Sequence, residues 1–430
     1  MHLVSIDRFY SMIDFFVYFI FVSLLLVILR KHSVYFFAIK GLAIFLSLPA
    51  MIVRKEFILS EGVLNFGFYS VSIDSYYYAF AYRLLSFLCM ALFLKLGMRI
   101  KIQNVYNIPL YASENFIAIT AVSISVFLIF YMHVHFSFEH VLNPRKLYES
   151  SRGIFDFLYF VSGILIRLSL IFFLISKRSA LKKFIFTIFT IIVSMLLGAK
   201  INAFVLALIS LIYYIVYVKR FSVKIRWVIT IFFACLCLGG LLLRITFWDA
   251  DGALILRLFS AYLSEPWLNF VLLMDSFELH FADYFYGQIL WETYITTFMP
   301  RSIFPEKPLL FSTFLIANEY YPEIVSLGLG APSFGYEGLL YADFGVFGLV
   351  LLLFSQCFSM LILGMCIKSA LINLVSTERI SWFTLFFVMT LSGASVATLP
   401  PAHPVFVNVG LFILTVIILS RWKIRIFAYK

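Results

Sequence analysis

The sequence predicts an all-α polytopic membrane protein, and three observations carry that prediction. The 430-residue chain is 63% hydrophobic and only 13% charged, with a mean hydropathy of +1.01. A soluble domain needs far more charge on its surface. Its apolar runs are continuous and long enough to cross ~30 Å of hydrocarbon, whereas a transmembrane barrel would alternate over ~10-residue segments. The charge is also sorted by side. The segments 30–40, 95–114, 177–183, 219–226, 368–379 and 421–430 hold 20 Lys and Arg against two acidic residues, Glu114 and Glu378. By the positive-inside rule these are cytoplasmic. The net charge of +11 is therefore a topology signal and not a nucleic-acid one.

In order, spans are predicted at 11–29, 34–53, 76–97, 116–135, 154–175, 184–199, 201–218, 227–248, 344–367, 380–398 and 402–420. The first run starts with Asp14 and ends with Arg30 and Lys31, unlike a cleavable signal, so it is expected to be retained. This gives about 11–12 transmembrane helices. With eleven, the N-terminus is out and the C-terminus in, and a twelfth element around 56–75 would reverse the N-terminal end. All five cysteines (Cys89, Cys235, Cys237, Cys357, Cys366) fall in apolar runs, so they read as packing residues and not as a disulfide framework.

Three regions follow: a bundle of about eight helices over 1–248, one large extracytoplasmic loop over 249–335, and about three helices over 336–430. The loop region holds ten acidic residues against Arg257, Arg301 and Lys307. Within it, 254–259 and 267–274 have helical apolar spacing and are expected to lie flat at the interface. The proline-rich stretch 300–332 is not expected to be helical throughout.

Arg301 and Lys307 sit between Pro300, Pro305 and Pro308. An Arg fork binds phosphate oxygens in pairs and Lys adds a point charge, while prolines reduce the cost of ordering the loop. The alternative is that these cations neutralise the loop's own carboxylates or touch headgroups. Lys200, at an outer hairpin tip, runs against the positive-inside bias; it either meets an anion or snorkels. Arg167 and Arg244 lie inside spans, where a charge needs a partner or a cavity. Arg83 is read the same way: an anion site or a carboxylate on a neighbouring span.

Candidates for a general base are Glu337, Asp343, His403, Glu292 and His280, any of which alternatively serves in an ion pair or in water. Glu337 and Asp343 begin the ninth span but face different ways on a helix. His133 and His135 lack further ligands at zinc spacing, so no metal is expected. Trp267, Trp291, Tyr262, Tyr284, Tyr286, Tyr294, Tyr320 and Tyr321 supply ring faces for sugars or belt the membrane interface. No phosphate-binding glycine loop or nucleophile elbow is present in the sequence.

Pro300-Arg301, Lys307-Pro308, Phe334-Gly335-Tyr336-Glu337-Gly338 and Asp343-Phe344-Gly345 through Gly348, behind many spans and a large late outward loop, resemble the Wzy-type polymerases of oligosaccharide repeat units. The matching motifs occupy about 300–348, and Lys200 stands where the family often carries Arg. The resemblance implies a GT-C-like helical membrane glycosyltransferase in a bacterial cytoplasmic (inner) membrane, its site facing the periplasm. It implies a glycan donor on undecaprenyl pyrophosphate and a second lipid-linked repeat unit as acceptor. It also implies a polysaccharide co-polymerase that regulates chain length, no metal or other cofactor, and no nucleic acid. Arg301, Lys307, Lys200, Arg244 and Arg167 would hold the pyrophosphate, and Glu337, Asp343 or His403 would take the acceptor proton. An O-antigen ligase shares this architecture. A flippase fits less well, because it would have short loops on both sides, and an assembly scaffold would tolerate loss of any one outward charge.

Overall fold

The structure, a computed structural model, describes residues 2–60, 72–100, 114–136, 156–176, 178–197, 206, 207, 210, 213, 252–278, 283–294, 313–326 and 334–376. Among these there are helices and turns and no strand. Four helical stretches are long and apolar enough to cross a membrane: Met12–Leu29, Ile73–Gly97, Asn115–His135 and Val346–Met365; Val161–Leu174 is a shorter apolar one. The predicted all-helical membrane class therefore holds. The predicted spans 227–248, 380–398 and 402–420 lie outside the described residues, and 201–218 is described at four positions.

The chain divides into two compact units. The first comprises Met1–Gly97, Ser222–Ile362 and Ala397–His403. It opens with α1 (His2–Leu29). Tyr18, Phe21, Leu25 and Leu29 are buried at intervals of three and four, while Met12, Phe16, Phe19 and Val27 point outward. This is a helix with one protein-facing stripe and one face left for lipid. Asp14 lies on the buried stripe.

The second predicted span is helical throughout, as α2 (Ser33–Leu42), a π-helical turn (Ala43–Ser47) and α3 (Leu48–Ser60) in unbroken succession. Lys55 is fully buried there, because its ammonium pairs with Asp14, donates to the Tyr77 hydroxyl at 3.0 Å, and lies over the rings of Tyr76 and Tyr77 at 5.1 and 4.8 Å.

α4 (Ile73–Gly97) runs beside α8 (Gly252–Glu278) in the opposite direction. Asp275 of α8 accepts bonds from the Ser72 amide (3.1 Å) and Ser75 hydroxyl (3.0 Å) at the start of α4. There it meets amides that have no partner within the helix and favour a negative charge. Eight residues deeper in α4 and eight back along α8, Arg83 meets Trp267. Pro266 interrupts α8 internally, and in the same turn the Leu263 carbonyl accepts a bond from the Ser47 hydroxyl at 3.0 Å. Residues 267–274, expected flat at an interface, instead lie on this packed helix, with Trp267 to Met274 all buried.

α9 (Gln288–Tyr294), α10 (Thr313–Tyr320) and α11 (Pro322–Ser326) are short. Then α12 (Gly335–Phe344) turns at Gly345, φ +60°, into the long α13 (Val346–Ser376). A positive φ is natural for glycine and strained for other residues. The chain doubles back at this corner. A Cβ built on Gly348 would lie 2.0 Å from the Leu340 carbonyl oxygen, so the two helix backbones touch. Neighbouring residues on α4 grip both arms: Arg83 holds Glu337 of α12, and the Tyr82 hydroxyl donates to the Leu349 carbonyl of α13 at 3.0 Å.

The second unit comprises Met98–Phe221, Leu363–Val396 and Pro404–Lys430. Its described helices are α5 (Glu114–Phe136), α6 (Asp156–Ile175) and α7 (Ala180–Met195). The Ser125 hydroxyl of α5 donates to the Ser162 carbonyl of α6 at 3.0 Å. The rings of Phe173 and Phe186 stack with centroids 3.9 Å apart across α6 and α7. The His133 ring is bonded to the Leu196 carbonyl at 3.0 Å, which gives this histidine a structural partner at the end of α5.

Candidate functional site

The first unit gathers its charges at the middle of α4. Arg83 lies ten residues after Ile73, about 15 Å along the helix. Its guanidinium forms an ion pair with Glu337, which lies in the first turn of α12. Trp267 of α8 covers the guanidinium face at 3.4 Å from ring centre to Cζ, and the Phe87 ring lies 4.9 Å away. The ring quadrupole favours a cation over its face, and stacking leaves the fork's edge as the direction for hydrogen bonds. Lys40 on α2 is within electrostatic reach of both Arg83 and Glu337. The Arg83 and Glu337 side chains keep 15% and 11% of their exposure, so this pair is not closed off.

Aromatic rings lead away from this centre. Tyr82 and Phe270 lie 6.3 Å apart, Phe270 and Tyr341 5.8 Å, Tyr341 and Tyr284 6.1 Å, and Tyr284 and Tyr286 6.4 Å. The run ends at the exposed ring of Tyr286, and the Trp291 ring on the helix that follows is exposed too. Tyr286 has φ +49° beside Gly287 at +92°, a left-handed turn that is uncommon for a bulky residue. Nearby, Glu319 has its carboxyl held above the usual range by burial and by the like charge of Asp283. Tyr321 donates to Asn269 of α8 at 2.7 Å, and burial pushes its phenol well above the ordinary value.

Of the residues singled out from sequence, Glu337 and Asp343 share α12 but do different things. Asp343 is fully buried, and its two oxygens accept the Ile289 and Leu290 amides at 3.0 and 2.7 Å. It ties the start of α9 to the corner of the α12–α13 hairpin, beside a bond from the Phe285 amide to the Ala342 carbonyl at 2.9 Å. Arg167 is half-buried midway along α6, in the second unit. Glu292 lies on α9. Arg301, Lys307, Lys200, Arg244, His280 and His403 lie outside the described residues.

From sequence Arg83 reads as a charge within a span that meets an anion or a carboxylate on a neighbouring span, and the structure supplies the carboxylate, Glu337. Its partner Glu337 is 254 positions away, which no local pattern reveals. Lys40 was counted with a cytoplasmic loop, and Trp267 with aromatics for sugars or the membrane interface.

The chain is 31% identical over 233 residues to an O-antigen polymerase of Salmonella typhimurium strain LT2, and equally to one of Salmonella typhi. It is similar to the O-antigen polymerases. The Wzy-type resemblance read from 300–348 thus has support from curated relatives. The match covers 54% of this chain, and the chain spans about half the length of the curated relatives it matches. No family model and no solved structure matches the chain.

Proposed function

We propose that this chain polymerises lipid-linked oligosaccharide repeat units of an O-antigen or similar surface polysaccharide. The growing glycan passes from undecaprenyl pyrophosphate to the non-reducing end of an incoming lipid-linked unit. The observation that carries this reading is the 31% identity over 233 residues to two O-antigen polymerases. Four helices apolar and long enough to span a bilayer agree with a lipid-borne substrate. In this reading the protein is a GT-C-type glycosyltransferase of the inner membrane that works on its periplasmic side beside a chain-length co-polymerase.

The acceptor hydroxyl attacks the anomeric carbon, and the lipid diphosphate leaves. Cations placed where that charge grows lower the barrier, and they do so without a metal. Arg301 with Lys307, Lys200, Arg244 and Arg167 are proposed for this task. Glu337 is the favoured acceptor of the hydroxyl proton: it is near-buried, partly accessible, and set against a cation. Asp343 is less suited, since both its oxygens already hold amides, and His403 remains the third candidate. The exposed rings of Tyr286 and Trp291 suit the C–H faces of sugars.

The test is polymer formation by the purified chain in liposomes, given lipid-diphosphate-linked repeat units and a chelator. A ladder of lengthening glycans that is lost in Arg301→Ala is expected. A full ladder from Arg301→Ala at normal expression rejects the assignment of Arg301. A transfer of finished chains to a lipid A core, with no ladder, makes the chain a ligase.

A further inference from the structure

Among the described residues the first unit holds two buried ion pairs, and their difference is informative. Lys55–Asp14 is sealed, with side-chain exposures of 0% and 5%, and tyrosine rings enclose the cation. One charge balances one charge, and nothing further is needed to explain it. Arg83–Glu337 retains 15% and 11% exposure and has Lys40 in addition. Arg83 lies inside an apolar helix long enough to span a membrane, where a charge is costly and marks a candidate ligand site. The Arg83 Nε is buried and has no hydrogen-bond partner. Trp267 fixes the plane of the fork, so its donors are already oriented.

We propose that Arg83 and Lys40 form an anion site for the diphosphate of a polyprenyl-linked glycan, and that the diphosphate takes Arg83 from Glu337. The proposal rests on the polymerase reading and deepens it, by adding Arg83 and Lys40 to the cations proposed there for the diphosphate. In the resting protein Glu337 occupies the fork as a counter-ion. A diphosphate offers more oxygens and more charge to the same donors, so it competes for them in a bidentate manner. Its arrival frees the Glu337 carboxylate at the moment a donor is present. The acceptor oxygen then bonds to the anomeric carbon as the bond from that carbon to the diphosphate oxygen breaks. The electron pair leaves with the diphosphate, beside Arg83 and Lys40. The hydroxyl proton passes to Glu337. Donor binding and base release are one event, so the base is withheld until a donor is bound.

The experiment uses the full chain in phosphatidylethanolamine nanodiscs titrated with undecaprenyl pyrophosphate. Wild type is expected to bind it saturably. Glu337→Gln, which no longer competes for the fork, is expected to bind about threefold tighter or more. Arg83→Gln is expected to bind about tenfold weaker or worse. The double variant Arg83→Gln with Glu337→Gln leaves no carboxylate buried without its guanidinium, so it serves as the control should Arg83→Gln alone fold poorly, and it is expected to be equally weak. Unchanged binding by the double variant overturns the proposal, and so does weaker binding by Glu337→Gln. Competition by phosphatidylglycerol as strong as that by the diphosphate overturns it too, because the site then serves bilayer headgroups. Arg83-dependent diphosphate binding in a wild type that makes no polymer upholds the site and removes the polymerase reading. Polymer made by wild type and by the double variant alike removes the site and upholds the polymerase.

Discussion

Arg83 and Glu337 join helices 254 positions apart in sequence, and they do so at the foot of a helical hairpin whose other arm is held by Tyr82. Adjacent residues of α4 thus hold α12 and α13 at one level. The ion pair fixes where Glu337 stands relative to the Gly345 corner, and through Asp343 that corner fixes the start of α9. The exposed Trp291 lies on α9 and the exposed Tyr286 just before it, on the same connected scaffold.

The sealed pair sets the first expectation. Breaking one side of Lys55–Asp14 leaves a buried charge without compensation, at a cost of about 3–5 kcal/mol. Lys55→Met alone and Asp14→Leu alone are each expected to lower the thermal unfolding midpoint of the chain in detergent. The double variant, which buries no charge, recovers most of the loss. A double variant as unstable as the sum of the two singles counts against a balanced pair.

The hairpin sets the second. Gly348 faces the Leu340 carbonyl, and a Cβ there would lie 2.0 Å from that oxygen. Backbone does not yield as a flexible side chain does, so Gly348→Ala must push α12 and α13 apart. About 1–3 kcal/mol or more is expected to be lost. Gly41→Ala is the control. Its Cβ would sit 3.6 Å from the Phe45 ring, an ordinary contact, and its unfolding midpoint should stay near that of the wild type.

The class of the protein was legible because it rests on composition and long apolar runs, which require no knowledge of partners. The runs at 11–29, 76–97, 116–135 and 344–367 each match an apolar helix. The run at 34–53 is helical throughout, with one π-helical turn that spacing does not reveal, and the helix runs on to carry Lys55 to Asp14. The helical spacing of 267–274 was legible, but its packed setting was not, because Glu265, Pro266 and Asp275 interrupt the apolar run and the partner of Asp275, the start of α4, is 200 positions away. Glu337 was singled out from sequence, but its relation to Arg83, Lys40 and Trp267 depends on helix packing and has no signature in spacing.

Glu319 gives a pH dependence. Its carboxyl is raised by burial first and by Asp283 second, so the folded state binds its proton more tightly than the unfolded chain does. That contribution to stability is fully present below the ordinary glutamate value and is lost as pH rises through the folded value. Amide exchange across 313–326 should therefore quicken with pH, beyond intrinsic chemistry, over a window that opens at the ordinary glutamate value. Glu319→Gln should remove that excess. A window that survives in Glu319→Gln assigns the effect to another group.

Asp343 separates a structural carboxylate from a chemical one. With both oxygens taken by the Ile289 and Leu290 amides, its removal leaves two donors at the start of α9 unsatisfied, at about 1–3 kcal/mol each where they are buried. Asp343→Ala is expected to speed exchange at these two amides and to loosen α9. Asp343→Asn keeps one acceptor oxygen but no base, so the two substitutions diverge according to role. An anchor predicts that Asn retains much of the slow exchange and of any polymerising activity, with Ala losing both. A base predicts that Asn is as inactive as Ala while the exchange at 289 and 290 stays slow. The geometry favours the first, because a carboxylate that holds two amides has little capacity left to receive a sugar's proton, whereas Glu337 is held by a cation that a diphosphate can take away.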